Sequence, residues 1–362
     1  VTDKQMHIGW LAEIGEPVGS AGARAAGQAP PWCDPDEYIS RAQMIERAGV
    51  EFLVLAETVR PTLNPSVLVP LIAAETSSLG IVPALAMTDY PPFMMARLLT
   101  TLDHMTQGRV GWAVATDIDG SYGSSPSRDG SKATAQPLSV ANEYAQVCKE
   151  LWGSWEPDAL VQDRTRGTFA DPAKVRTIDH VGEHFRVRGP LNTVPSRQGT
   201  PPLVSAMSST DETDFVSRHA EVVLVTADGP EEFRRVRNEI KNTASEAGRD
   251  PDDVKVYLAV SIQVAETPDL LPALQNRGPQ RSWPPVGTPS VHLTGPTNTI
   301  ATDLEELHDT SGADGIVILG TWPLSEVSVI CNRVLATLRR RGRIHTTPHT
   351  NRSLRETLRG RL

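Results

Sequence analysis

The chain has 362 residues, 35 of them basic and 44 acidic, for a formal charge of −9, a balance that speaks against general polyanion binding and for an ordinary soluble protein. Cys33, Cys148 and Cys331 lie far apart with no Cys-x-x-Cys pair, so neither a disulfide framework nor a zinc site is expected, and a reducing cytoplasm fits. Val1 to Gln5 shows no basic-then-apolar leader and no apolar run reaches membrane-spanning length, so neither export nor membrane insertion is expected.

Short β-branched runs alternate with longer amphipathic ones, the pattern of parallel strands joined by helices. His7 to Leu11 reads as the first strand. Asp36 to Gly49 places Tyr38, Ala42, Ile45 and Ala48 at helical spacing, and Gly49 closes it. Glu51 to Ala56 is nearly all apolar, as a strand covered on both faces must be, and it ends at Glu57. A helix over 66–77 and a strand over 79–87 follow. Met94, Leu98, Leu102 and Met105 then form a helical stripe expected to pack into the core, ended by Gln107-Gly108. Val110 to Thr116 is the fourth strand and Ala141 to Trp152 the next helix.

The second half keeps this rhythm with strand Leu203 to Met207, helix Glu212 to His219, strand Val222 to Thr226 and helix Glu231 to Ala247. Strand Val254 to Val264, helix Ile300 to His308, strand Gly315 to Leu319 and a last helix bearing Val327, Ile330, Val334 and Leu338 complete it. Eight strands, each followed by a helix, predict an α/β chain closed as a (β/α)8 TIM barrel. We expect one domain over 1–362, with rim insertions near 120–136, 163–199 and 267–295.

In such a barrel the site is built where the strands end at their carboxyl termini. That rule selects Trp10 and Glu13, then Glu57, then Thr88 and Asp89, then Thr116 and Asp117 with Asp119. Further along it selects Ser208, Ser209 and Thr210, then Asp228, then Trp322. Hydroxyls beside helix-terminal amides suit a phosphate, which makes Ser208-Ser209-Thr210 the best anion site in the chain, with plain N-capping as the competing reading. A carboxylate ending an apolar strand, as Glu57 does, must find a partner or a ligand. Asp117 and Asp119 could serve as an acid/base or metal pair, although carboxylates in a Gly-rich loop more often form turns. Asp228 with Glu231 reads as a capping box. His180 and His184 sit in turn and strand surroundings, so no metal is expected there. The arginines from Arg339 to Arg361 read as a cationic helix end and tail rather than a phosphate site.

Several segments, in order, resemble the nitrilotriacetate monooxygenase branch of the bacterial luciferase superfamily, which includes dibenzothiophene-sulfone and pristinamycin-type monooxygenases. They are Ala96-Arg97 with Thr101 to Trp112 (TLDHMTQGRVGW), Leu151 to Ala159 (LWGSWEPDA), His180 to Phe185 with Gly189 to Asn192, Arg218 to Glu221, Gly312 to Gly315, and Leu338 to Gly342 with Ser353 to Glu356. The resemblance implies a two-component enzyme that takes reduced FMN from a separate flavin reductase and uses O2 to oxygenate a bulky organic substrate, in catabolism or natural-product tailoring, and it implies a homodimer. It implies flavin contacts at Ala56 and Glu57, Ala86 to Thr88, Ala113 to Thr116, near Leu138, and at Ser208 and Ser209, with Glu57 and Asp117 as the candidate catalytic carboxylates. The family usually has Asp at Glu57, Ser near Ala86, Asn at Ala113, Tyr near Leu138 and Gly near Glu212. Two other uses stay open: a barrel without flavin that does cofactor-independent oxygenation or acid/base chemistry on those carboxylates, and a non-catalytic binding barrel.

Overall fold

The structure is a computed structural model that describes residues 5–15, 33–57, 62–115, 138–207, 209–266, 291–321, 323–345 and 351–360. Eight parallel strands close on themselves. They are β1 (His7–Ile14), β2 (Phe52–Glu57), β3 (Gly80–Ala86), β4 (Trp112–Ala115), β5 (Leu203–Met207), β6 (Val222–Val225), β7 (Lys255–Val264) and β8 (Gly315–Thr321). Each pairs with its neighbour in sequence, and β8 returns to β1 with His7 opposite Gly315 and Leu11 opposite Leu319. Between them run α1 (Pro35–Arg47), α2 (Pro65–Ala74), α3 (Pro92–Met105), α4 (Leu138–Trp152), α5 (Thr213–His219), α6 (Pro230–Glu246) and α7 (Thr297–Ser311). After β8 come α8 (Leu324–Val329), a π-helical stretch (Ile330–Leu335) and α9 (Ala336–Arg340), with α10 (Leu354–Arg359) last. The expected TIM barrel is therefore the fold.

Alternation along the strands divides the buried residues into an inner and an outer set. Inside the barrel lie Leu11, Phe52, Val54, Ala56, Val82, Ala84, Ala113, Ala206, Tyr257, Ala259 and Val317, joined by Leu354 and Leu358 of α10. The sleeve between strands and helices holds the residues of opposite parity, such as Ile8, Trp10, Leu53, Leu55, Ile81 and Trp112, against the apolar faces of the helices. Trp10 is thus fully buried in the sleeve, not at the mouth where the strand-end rule put it, because its neighbour Leu11 takes the inward position.

At the amino ends of the strands the interior is sealed by large rings and by α10. Glycines make room for them: a Cβ on Gly9 would lie 2.3 Å from the Phe52 ring, and one on Gly315 would lie 2.3 Å from the Tyr257 ring. Helix α10 is held by a capping box at Ser353 and Glu356. Arg355 also donates to the Thr200 carbonyl at 2.7 Å and pairs with Glu221 at 3.0 Å. Arg341, Arg343 and Arg359 pair with Glu305, Asp309 and Asp253 in the same way, so this part of the arginine-rich tail is structural.

Four expectations need correction. In α3 the buried arc is Met95, Ala96, Leu99, Leu102 and Asp103, one position off the expected stripe, which leaves Met94 and Met105 exposed. One residue is about 100° of helix, so a stripe misplaced by one turns its edge to solvent. Within 267–295 the residues Val291–Gly295 form a ninth strand, parallel to the far end of β7; its His-Leu-Thr alternation is too short to read against the Pro-rich context. The 163–199 region holds most of two antiparallel hairpins, Leu160–Asp163 with Thr168–Ala170 and His180–Val181 with Arg186–Val187. At the start of α6, Glu232 rather than Glu231 reaches back, accepting from the Asp228 amide at 2.8 Å.

Candidate active site at the barrel mouth

The inward side chains shrink toward the carboxyl ends of the strands. On β2 they run Phe52, Val54, Ala56, and on β7 Tyr257, Ala259, Ser261. Among the described inward side chains solvent first touches the apolar Ala86 (5%), Ala206 (8%) and Leu319 (9%), with the polar Glu13 and Ser261 partly exposed on the same inward rows of β1 and β7. Ala86, Ala206 and Leu319 form a small, apolar floor to the mouth. Such a floor can carry the face of a flat, largely apolar ring, and leaves orientation to the polar groups around it.

Around that floor the sequence-selected residues fall into different places. Ala56 closes the inner row of β2. Glu57, the next residue, has the opposite parity and turns toward the helix side, half-buried. Burial first, and then the negative charge of Asp89, push its carboxyl above the usual range. Thr88 and Asp89 are exposed on the turn that joins β3 to α3. Burial raises the Asp89 carboxyl in turn, against the Thr88 hydroxyl, which lies 3.4 Å from its Oδ1. Two carboxyls that feel one another's charge, each raised above its ordinary range, hold a proton more readily than free carboxyls do.

Across the mouth, Ser209 ends the loop after β5 and caps the short 3-10 turn Thr210–Glu212, its Oγ accepting from the Asp211 amide at 3.2 Å. The hydroxyl keeps its own proton to donate. Glu212 is buried at the foot of α5. Thr116, Asp117, Asp119, Ser208 and Trp322, and the 120–136 segment, lie outside the described residues. Glu57, Thr88 and Asp89 are brought together on one side and Ser209 stands apart from them, nearer α5.

The sequence did not single out the residues that fix the Thr88–Asp89 turn. Tyr144 of α4 donates to the Tyr90 carbonyl at 2.5 Å, and Asn64, the N-cap of α2, donates to the Tyr90 hydroxyl at 3.2 Å. Burial, with smaller contributions from Cys148 and Asp89, keeps the Tyr144 phenol protonated far above its ordinary range. The only sequence sign was spacing: Tyr144, Cys148 and Trp152 recur every fourth residue on α4.

The histidines of the rim hairpin are also structural. His180 has Glu150 at 2.9 Å from Nδ1 and Glu143 at 3.2 Å from Nε2, while Glu143 accepts the backbone amides of His184 and Phe185. Among the described residues no cluster of three or more His, Cys, Asp or Glu could hold a metal ion.

The segments quoted for the family resemblance lie mostly away from the mouth, so their agreement tests ancestry and not the site. The model of the luciferase-like monooxygenase family matches residues 6–283. This chain belongs to that family. A luciferase-like chain is 37% identical over 205 residues to dibenzothiophene-sulfone monooxygenase of Rhodococcus erythropolis, a match covering 57% of this chain and 45% of that one. It is 30% identical over 293 residues to nitrilotriacetate monooxygenase component A of Aminobacter aminovorans, covering 73% and 63%. The chain spans about half the length of the curated relatives it matches. A riboflavin lyase solved with modified FMN and riboflavin superposes with a TM-score of 0.81 at 25% identity, covering 99% of this chain and 96% of that one.

A flavin fits part of this luciferase-like mouth. The floor of Ala86, Ala206 and Leu319 would suit the isoalloxazine face, with Thr88 as a hydroxyl for its edge and Ser209 as one for the phosphate. The phosphate end is less favourable, since Asp211, Glu212 and Asp214 crowd the first turns after Ser209.

Proposed function

We propose that this protein is the oxygenating component of a two-component monooxygenase, taking reduced FMN from a separate flavin reductase and using it with O2 on a bulky organic substrate in catabolism or natural-product tailoring. The observation that carries the proposal is the apolar floor of Ala86, Ala206 and Leu319 at the carboxyl ends of a sealed luciferase-like barrel. Bound reduced flavin supplies the two electrons that activate oxygen. Thr88 and Thr116 would bond its polar edge, Ser208 and Ser209 would donate to its phosphate, and Ala56, fully buried in the inner row of β2, would support the floor beneath its ring. Glu57 and Asp117 would hold and move the proton that the reaction requires.

Dibenzothiophene-sulfone monooxygenase and nitrilotriacetate monooxygenase component A, by name, act on organic substrates, which supports that substrate class here. The homodimer proposed with this reading would use the exposed Val67, Met94 and Met105 on α2 and α3, apolar groups that water does not favour. Among the described residues no helix is long and apolar enough to cross a membrane. Three free cysteines suit a reducing compartment, so we place the enzyme in the cytoplasm. Anaerobic titration with reduced FMN, followed by absorbance, tests the proposal: saturable binding at tens of micromolar or tighter is expected, and no saturation would overturn it.

A further inference from the structure

Helix α4 presents Tyr144, Cys148 and Trp152 one turn apart, all buried, to the chain that leads from β3 into α3. Their donors meet three backbone carbonyls in the same order along the chain: Tyr144 Oη to Tyr90 at 2.5 Å, Cys148 Sγ to Pro92 at 3.6 Å and Trp152 Nε1 to Ala96 at 3.1 Å. The carbonyls of Pro92 and Ala96 belong to α3 itself. The Tyr90 carbonyl does not; it lies on the turn before the helix, between Asp89 and Pro91. Met87 anchors the turn in the core and Tyr90 packs against it, but few hydrogen bonds among the described residues hold its backbone. Among the described residues one backbone bond within it runs from the Asp89 amide to Ala86 at 3.2 Å, and Pro91, the N-cap of α3, offers no side-chain cap. Asn64 fixes only the far end of the Tyr90 side chain.

We propose that Tyr144 is a positioning residue for the mouth, its hydroxyl fixing the Met87 to Tyr90 turn so that Thr88 and Asp89 face the bound flavin; this rests on the flavin reading above. The second and third bonds of the ladder fasten helix to helix, while the first fastens a helix to the turn after β3. Tyr144 is itself locked from behind. Its ring meets Phe185 of the rim hairpin edge-on at 5.6 Å between centroids and Trp112 at 6.2 Å, so the hydroxyl has no freedom to follow a moving turn. The hairpin is pinned to α4 through Glu143 and Glu150, which makes it a brace behind the mouth.

Tyr144→Phe removes the hydroxyl and keeps the ring. Trp152→Phe cuts the third bond of the same ladder and serves as the comparison, since a merely structural role would make the two variants alike. Two readouts are needed: hydrogen–deuterium exchange of the Met87 to Tyr90 amides in the ligand-free protein, and anaerobic titration with reduced FMN. In Tyr144→Phe the turn is expected to exchange about tenfold faster and FMN to bind about tenfold more weakly, the change given by losing one buried hydrogen bond. Trp152→Phe should lower the melting temperature and leave both readouts at wild-type values. Unchanged exchange in Tyr144→Phe, unchanged FMN affinity, or equal effects in both variants would overturn the proposal. Failure of the wild-type protein to bind FMN would overturn the flavin reading, and is told apart because the exchange comparison needs no ligand.

Discussion

Leu354 of α10 occupies the space a side chain at Gly80 would need: a Cβ on Gly80 would lie 2.4 Å from Leu354 Cδ1, and one on Gly111 would lie 2.9 Å from Cδ2. A glycine at the start of β3 and another just before β4 thus admit one leucine from the C-terminal helix. Leu354→Ala should lower the free energy of unfolding by about 2–5 kcal/mol, as for other large-to-small changes in closed cores. Denaturant unfolding measures it. A loss within error would mean that α10 merely rests against the barrel.

Asp103, fully buried in the motif that carries the family resemblance, accepts from Ser196 Oγ at 2.7 Å, the Arg197 amide at 2.8 Å and Gln198 Nε2 at 2.7 Å. Asp103→Ala leaves those donors without their acceptor and should cost about 1–3 kcal/mol. FMN affinity should not move, because the α3–β4 connection lies at the amino end of the barrel.

How far the fold could be read from the sequence follows from the same contrast. Strands such as Phe52–Glu57 are continuous apolar runs because both faces are covered, and α1 shows its buried Tyr38, Ala42 and Ile45 at regular spacing, so each was legible within a residue or two. The stripe on α3 was misplaced because Met94 and Met105 are as apolar as the residues that are buried, and spacing alone cannot say which face turns inward. Strand-end position selected Glu57, Thr88 and Asp89, which the structure places at the end of β2 and on the turn after β3. It could not find Tyr144, which acts from the middle of a helix on a carbonyl 54 residues away. Ala86 and Leu138, departures from the family pattern, lie on the floor and at the first residue of α4.

His7 and Glu51 form an ion pair at the amino end of the barrel, 2.8 Å from Nδ1 to Oε1. Burial alone would lower the His7 pKa, but the hydrogen bond and charge of Glu51 outweigh it and the imidazole is raised overall. A raised folded pKa stabilises below the unfolded value, about 6.5, and that stability is lost as pH rises through the folded pKa. The unfolding midpoint should therefore fall as pH rises from about 6 toward 8. In His7→Gln that slope should flatten; an unaltered slope would assign it to other groups.

Glu46 gives the opposite sign. Burial would raise its carboxyl, but the amides of Ser78, Ser77 and Leu79 and the Ser78 hydroxyl prevail and hold it below the ordinary range. Its contribution is present above about pH 4.5 and is lost as pH falls through the lowered value. Glu46→Gln should be less stable at neutral pH and lose less on acidification, as read from denaturant midpoints at pH about 7 and about 3.5.

Ala86 and Ala84 stand two residues apart on the same inward row of β3, yet the first borders the mouth and the second is packed beneath it. Ala84→Leu forces three extra carbons against Ala113, its neighbour in register, and should cost about 1–3 kcal/mol in stability. Ala86→Leu sends the same carbons upward, where there is solvent to displace, so stability should change by less than about 1 kcal/mol. The ring proposed to lie on that floor would then be lifted by the width of a leucine side chain, and reduced FMN should bind at least tenfold more weakly. Measured together, the pair separates a site from a core. Should Ala86→Leu destabilise as much as Ala84→Leu and leave FMN affinity intact, the flavin does not lie on the floor of Ala86, Ala206 and Leu319.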